Sequence, residues 1–463
     1  MAAPTPYFII GPNTLISLIG LIHGPDKTVP TPAEDWRAVT VDMVIPAYNE
    51  QATIILCLDS VRRQTLKPHR IIVMDDGSKD RTRELVQEFA SKNLDMPIEI
   101  MSTDVSMGKT PGVKKNAREL DGDVQFILDG DTILESPDYI EKTVQELYQG
   151  VGIASACGAI TPLREKDRIA AIKNSPPVWE FYKDHWELSI YKQDVKFRWF
   201  LHGIINTYRD FLYFYLKNFI YLGQMTFYGS IVNPIGCAVA YRREYIRELF
   251  DDYEATLGND LTTSEDIFIG FALLQRGYRN VQIGDVYALS EEPVAPKLPR
   301  QLFMWSSSFL QSCYYFPDLV LSPFKVFRRI AKRREEKKSG VLNKRKIKEA
   351  YRQAFGIPYT KQYGRPIGWT IMFSLIEKIS FPIIIILFTI MGWWEMLGWT
   401  LGIEVIALLG VTLILAHKTK RRDYVWKALV ATPVRYFTTI LELIIFCAFL
   451  IDIWVIKDFK WRK

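Results

Sequence analysis

Asp129-Gly130-Asp131 sets two carboxylates one residue apart, with a glycine between them that lets the backbone approach a ligand closely. Hard oxygen donors of this kind suit a divalent cation such as Mg2+ or Mn2+, and a cation so held can neutralise a diphosphate. Asp-x-Asp alone is a weak signal, since many such turns are merely solvated, and Asp75-Asp76-Gly77-Ser78 is likewise a common turn sequence. A third acidic group, Thr262-Thr263-Ser264-Glu265-Asp266, precedes the apolar run Ile267–Gln275. It reads either as a helix cap with acids in the first turn or as the source of a general base near a metal site.

Elements must bring these groups together. From about Val41 to Tyr287, short apolar runs alternate with amphipathic stretches such as Ala52–Gln64 and Asp80–Lys92. The strand-like runs are Val41–Pro46, Arg70–Asp76, Pro97–Met101, Val124–Asp129 and Val151–Gly158. That order predicts an α/β domain, a mostly parallel sheet with helices on both faces. Ligands of such sheets bind beyond the carboxyl ends of the strands. The rule singles out residues 46–50, 75–78 and 129–131.

Six motifs follow one another in order: VIPAYNE (Val44–Glu50), DDGS, Gly108-Lys109 with Lys115-Asn116, DGD, SED and Gln301-Leu302-Phe303-Met304-Trp305. With them the chain resembles the family 2 glycosyltransferases, and more narrowly the membrane-embedded synthases related to cellulose, chitin and hyaluronan synthases. The resemblance covers roughly residues 40 to 310. It implies a GT-A fold, a nucleotide diphosphate sugar as donor, with a UDP-sugar expected, and Mg2+ or Mn2+. By motif match, Pro46, Tyr48 and Glu50 border the nucleotide, Asp75 or Asp76 meets the base, and Lys109 holds the nucleotide or diphosphate. Asp129 and Asp131 form the metal-binding pair, with Asp131 the main ligand; Asp266 is the general base and Glu265 its neighbour. Gln301 and Trp305 match the outer positions of a QxxRW motif whose arginine is Met304 here. Methionine cannot grip a phosphate bidentately, so either Arg300 or Lys297 substitutes or the leaving diphosphate is held differently. The segment Gly236–Arg243 resembles the family's small-residue strand on the acceptor side.

Hydropathy divides the chain. Its mean hydropathy is near zero, yet the last hundred residues are far more apolar than the rest. Three stretches, within Trp369–Trp394, about Leu397–Ala416 and about Tyr436–Ile456, approach the ~20 residues that a helix needs to cross a bilayer. Tyr7–Ile22 is shorter and broken by Gly11-Pro12-Asn13, so membrane association is expected there without a commitment to crossing. Glu404, Glu442 and Asp452 lie in apolar runs and are expected to face protein or water, with an interfacial place as good a reading for Asp452. Aromatic residues crowd Pro176–Ser230, which reads as amphipathic helices on the membrane or against the spans, or as a platform for acceptor sugars.

Formal net charge is +6, but Arg328–Arg365 alone carries +11, leaving the remainder mildly acidic. The basic character therefore belongs to one juxtamembrane segment, expected to meet anionic lipid, and nucleic acid is not an expected partner. That linker and the loop His417–Arg422 place the polar domain on the cytoplasmic side of the cell membrane; the basic tail Lys457–Lys463 conflicts with three full crossings. The five scattered cysteines fit a reducing compartment. The organisation expected is a membrane-associated segment at 1–35, a catalytic domain at 36–310 with an insert at 176–230, a linker at 311–365 and transmembrane helices at 366–463. The function expected is inverting transfer of a sugar to a growing polysaccharide, with a possible partner subunit for export. The alternatives are single-sugar transfer to a lipid such as polyprenyl phosphate and a non-catalytic membrane scaffold.

Overall fold

The runs VDMVIPA, RIIVMD and VQFIL are apolar without alternation, and each is buried along nearly its whole length. Strands covered on both faces have that composition. The computed structural model describes residues 11–24, 35–149, 152–185, 188, 196–253, 264–339, 354–452 and 455. Its strands are β1 Val41–Ala47, β2 Arg70–Asp75, β3 Ile98–Ser102, β4 Val124–Leu128, β5 Thr132–Leu134, β6 Ile153–Pro162, β7 Ala238–Arg242 and β8 Arg279–Ser290. They form one sheet in the order β3-β2-β1-β4-β7-β6-β8-β5. The pairs β1–β2, β1–β4, β2–β3 and β6–β8 are parallel. β7 runs antiparallel to both its neighbours, β4 and β6, and β5 runs antiparallel to β8. The sheet is mixed and mostly parallel, as its sequence predicts; β5 and β8 are strands that the sequence reading did not pick out.

The five expected strands all form, which brings the carboxyl ends of β1, β2 and β4 to one edge of the sheet. Helix Glu265–Arg276 is buried on every side except at its last residue, so it lies within the core and not on the surface. That burial fixes the position of its first turn, where Glu265 and Asp266 stand.

Three helices are long and apolar enough to cross a membrane: Gly368–Ile390, Trp394–Thr419 and Asp423–Ile451. The first two coincide with expected stretches, whereas the third begins at Asp423, well before the expected Tyr436, and so takes in the polar turn that precedes the apolar run. Helix Pro12–His23 is shorter, about 18 Å at 1.5 Å per residue, against about 30 Å of hydrocarbon. Its described part is held by protein: Asn13 Nδ2 donates to Ser374 Oγ (3.0 Å) and to Glu377 Oε2 (3.1 Å). The aromatic stretch folds as helix Lys196–Tyr215, a π-helical turn Leu216–Tyr221 and helix Leu222–Tyr228. The first of these packs along Asp423–Ile451 and against β6, with Phe214 stacked on Tyr424 at 3.7 Å between ring centres. Of the two packing environments the sequence allowed, the described contacts are with the apolar helices and the sheet.

The carboxylates in apolar runs have partners. Glu404 meets Arg435 and accepts from the Tyr436 hydroxyl (2.7 Å); Glu442 meets Lys378 (3.1 Å) and accepts from Ser306 (3.3 Å). Asp452 is half-buried just past the end of the third helix. Thr262, Thr263, Trp186, Tyr191, most of residues 1–35, residues 340–353 of the linker and the tail 457–463 lie outside the described residues.

Candidate active site

The turn after β4 is pinned from both sides. Asp129 N donates to Cys237 O (2.9 Å), and Gly130 N donates to Pro46 O (3.1 Å). A Cβ on Gly130 would stand 3.2 Å from Pro46 O and 3.3 Å from the side chains of Ala47 and Glu50, so the close approach this glycine permits is to β1. Asp131 then faces a cavity of about 540 Å3 at the sheet edge. Asp129, Asp131, Ser264, Glu265 and Asp266 all line it. Acids more than 130 residues apart in sequence thus converge on one space.

Lys109 ties the two acidic groups together. Its Nζ lies 2.7 Å from Asp129 Oδ1 and 2.7 Å from Glu265 Oε1, and it donates to Gly236 O (3.1 Å). An ammonium has three donors, and three partners account for them. Burial lowers the lysine's proton affinity, but the two carboxylates overcome that and hold it well above the ordinary range. Asp266 accepts from the Ser264 hydroxyl in the helix's first turn. A Cβ on Gly236 would lie 2.6 Å from Asp266 Oδ2 and 2.7 Å from its Cβ, so only glycine leaves this carboxylate its place.

Burial pushes the Asp131 carboxyl up to about 7, with Asp129 adding repulsion and the Thr132 hydroxyl opposing it. Glu50 rises to about 9 through burial and then through Asp131 and Glu291. Burial also raises Glu265, against the pull of Lys109. Acids lifted in this way by burial and by one another form a region of concentrated negative potential, which a hard cation would relieve. Among the described residues no three ligand-type side chains make a ready cage. Mg2+ commonly takes one or two protein carboxylates and completes its shell with substrate phosphates and water, so the pair Asp129 and Asp131 fits a metal that arrives with a diphosphate.

Tyr48, Asp76, Gln301 and Trp305 also line the cavity. Asp76 accepts from Ser106 Oγ (2.6 Å), Met107 N (2.8 Å) and Gly108 N (2.8 Å), which positions the loop leading into helix Lys109–Glu119. Three residues singled out by sequence do not line it. Pro46 serves through its carbonyl, Asp75 is buried and accepts from Ser78 N (3.0 Å), and Glu50 packs behind the Asp129–Asp131 turn.

Sequence reasoning missed the wall opposite. Glu291 and Glu292 follow β8 and line the cavity. Glu292 accepts from the Tyr213 hydroxyl (2.6 Å) and faces Arg209 Nε at 3.3 Å. Burial raises the Glu292 acid while Arg209 and Tyr213 pull it back. Arg209 also donates to Gln301 Oε1 (2.6 Å), and its guanidinium lies 4.6 Å from the centre of the Trp305 ring. Of the two candidate substitutes, Arg300 lines the cavity and Lys297 does not. The guanidinium that grips Gln301 and Trp305, however, comes from helix Lys196–Tyr215. The available signal was the charged pair Arg209-Asp210 within an aromatic, helix-forming run.

Residues 42–250 match the family model described as Glycosyl transferase family 2. Over those residues the chain is similar to the family 2 glycosyltransferases. The mixed, mostly parallel sheet is that of a GT-A-like domain, here followed by three apolar helices that could span a membrane. The O-antigen chain rhamnosyltransferase RfbN of Salmonella typhimurium is 28% identical to this chain over 239 residues, 52% of this chain and 62% of the relative. The dolichyl-phosphate beta-glucosyltransferase ALG5A of Trichomonas vaginalis is 28% identical over 159 residues, 32% of this chain and 49% of the relative. The match therefore spans less than two thirds of either relative. Among solved structures, mannosyltransferase PcManGT from Pyrobaculum calidifontis, in complex with GDP-Man and Mn2+, is similar over 93% of this chain and 94% of its own, with TM-score 0.47 and 13% identity.

Proposed function

We propose that this protein is an inverting membrane glycosyltransferase that moves a sugar from a nucleotide diphosphate sugar to the hydroxyl of a growing glycan. The observation that carries the reading is the shared cavity of Asp129, Asp131 and Asp266. Tyr48 and Asp76 border the nucleotide, Arg300 stands beside the diphosphate, and Lys109 keeps the two acidic groups in register. Asp131 and Asp129 would hold a divalent cation, which would supply positive charge against the departing diphosphate. Asp266 accepts the proton of the attacking hydroxyl as its oxygen bonds to the anomeric carbon on the face opposite the nucleotide; the bond to the diphosphate oxygen breaks, and its electron pair leaves with the nucleoside diphosphate. The names of the relatives, an O-antigen chain enzyme and a dolichyl-phosphate enzyme, support glycan and lipid-linked acceptors as the class.

The polar domain lies on the cytoplasmic side in this reading, with the helices at 368–451 in the bilayer. Asp266→Asn and Asp131→Ala are each expected to reduce nucleoside diphosphate release by at least about 100-fold, while the purified protein keeps its melting temperature. Full turnover by Asp266→Asn would refute the assignment of the base.

A further inference from the structure

The two carboxylates of the Asp129–Asp131 pair stand in different company. Asp131 lines the cavity, and among the described residues its side chain takes one hydrogen bond, from Thr132 Oγ (2.9 Å). Asp129 Oδ1 is buried and takes no aligned hydrogen bond among those residues; what it faces is the Lys109 ammonium at 2.7 Å. The same ammonium lies 2.7 Å from Glu265 Oε1 and donates to Gly236 O (3.1 Å). One carboxylate of the pair is thus already neutralised by the chain itself, and the other is not.

That arrangement sets two cations against each other. A divalent ion held by both carboxylates shares Asp129 with the ammonium, and like charges so close repel strongly where water is excluded. Lys109 does not turn aside without cost. All three of its donors are engaged, and an ammonium withdrawn from its partners needs other acceptors. A diphosphate offers them, and the lysine stands where one would arrive. Lys109 opens helix Lys109–Glu119 directly after the loop whose Ser106, Met107 and Gly108 donate to Asp76. That loop lines the cavity beside Tyr48.

We propose that Lys109 competes with the divalent cation for Asp129, so that the cation binds tightly only together with a nucleoside diphosphate, whose oxygens become the acceptors of the ammonium. The proposal rests on the reading of Asp129 and Asp131 as the metal pair and adds an order of assembly to it. Such coupling is reciprocal: the nucleotide raises cation affinity by the same factor by which the cation raises nucleotide affinity. Until the nucleotide is present, the ammonium stays on Asp129, on Glu265 and on the carbonyl of Gly236, the glycine packed against Asp266.

The test titrates the full chain in phosphatidylcholine nanodiscs with Mn2+ and reads the paramagnetic resonance signal of the free ion. It is run without nucleotide and with saturating UDP or GDP, corrected for Mn2+ on free nucleotide. Without nucleotide, Lys109→Met is expected to bind Mn2+ at least about tenfold more tightly than wild type. Lys109→Met with Glu265→Gln removes one charge of each sign, leaves the net charge of the site unchanged and is expected to show the same gain. A gain confined to the single variant would report general electrostatics and overturn the competition, as would no gain in either. Asp129→Asn, which keeps the lysine, tests the point from the other side. Because Lys109 already occupies Asp129, this variant is expected to bind Mn2+ within about threefold of wild type without nucleotide, and at least about tenfold more weakly than wild type with it. Equal losses under both conditions would overturn the proposal. Asp131→Ala separates this from the underlying reading. Mn2+ binding indifferent to Asp131 under both conditions refutes the metal site itself, whereas binding that needs Asp131 and is not tightened by loss of Lys109 refutes the competition alone.

Discussion

Position 304 holds methionine, yet a guanidinium still presses on Gln301 and Trp305, because Arg209 reaches them from a neighbouring helix. Its side chain is about 1% exposed and does not line the cavity, so it is a positioning residue for the wall. Removing it alone would leave Glu292 buried without its cation, and breaking a buried pair typically costs about 3–5 kcal/mol. The informative variant is therefore Arg209→Met with Glu292→Gln, which removes both charges. It is expected to lower kcat by about 100-fold, the scale of a small misplacement at a reacting centre, with nucleoside diphosphate affinity within about twofold of wild type. Adding Met304→Arg to that background is expected to restore part of kcat, which steady-state kinetics with a polarisation assay for the nucleotide would read. Gly236→Ala makes a different prediction. Its new Cβ cannot coexist with the Asp266 side chain, so transfer is expected to fall by about 100-fold while donor binding holds. A variant with unchanged kcat would mean that the carboxylate sits elsewhere during turnover.

Elements decide how these residues meet, and here the sequence was unevenly legible. Buried parallel strands betray themselves by continuous apolar runs, so β1, β2 and β4 and the acids at their ends could be read directly. β8 could not: its middle is polar and partly exposed, RNVQIGDVYALS, and with it went Glu291 and Glu292. Arg209 was illegible for another reason. Its partners Gln301 and Glu292 lie more than 80 residues away, and no local period encodes a contact of that range. The short helix Pro12–His23 was ambiguous between crossing and leaning, and its packing explains why sequence could not decide. A Cβ on Gly20 would fall 2.4 Å from Gly223 Cα, and one on Gly223 would fall 2.5 Å from Ser17 Cα, so backbone meets backbone where the helices cross. Small residues at such a crossing permit close van der Waals packing in lipid as in protein. Gly223→Val is expected to push the helices apart at about 1–3 kcal/mol, the usual cost of overpacking. The measurement is the thermal midpoint in detergent together with protease cleavage near residue 24. A wild-type midpoint would remove this crossing from the list of contacts that hold the fold.

At the scale of the molecule, the question is which face of the bilayer the sugar chemistry occupies. Charge alone divided the sequence, because the linker and the loop 417–422 favour one side while the tail 457–463 favours the other. Contacts weigh on the same question independently of charge counting. Lys418 Nζ donates to Leu21 O (2.6 Å), and just beyond the loop Tyr424 and Lys427 both reach Asp210 at 2.9 and 2.8 Å. Asp210 belongs to the helix whose Arg209 and Tyr213 build the cavity wall. The loop between the second and third apolar helices is thus fastened to the polar domain, and if the second helix crosses, the turn around Glu395 must lie on the opposite face. Arg422 and Glu395 are both exposed, which makes them suitable reporters. In a background whose native cysteines are replaced, a membrane-impermeant maleimide added to intact cells is expected to label Glu395→Cys and to label Arg422→Cys only after lysis. Labelling of both in intact cells would place the polar domain outside, and labelling of neither would mean that the second helix does not cross. The first outcome would require an extracellular supply of sugar nucleotide, which would count heavily against the donor chemistry proposed for the cavity.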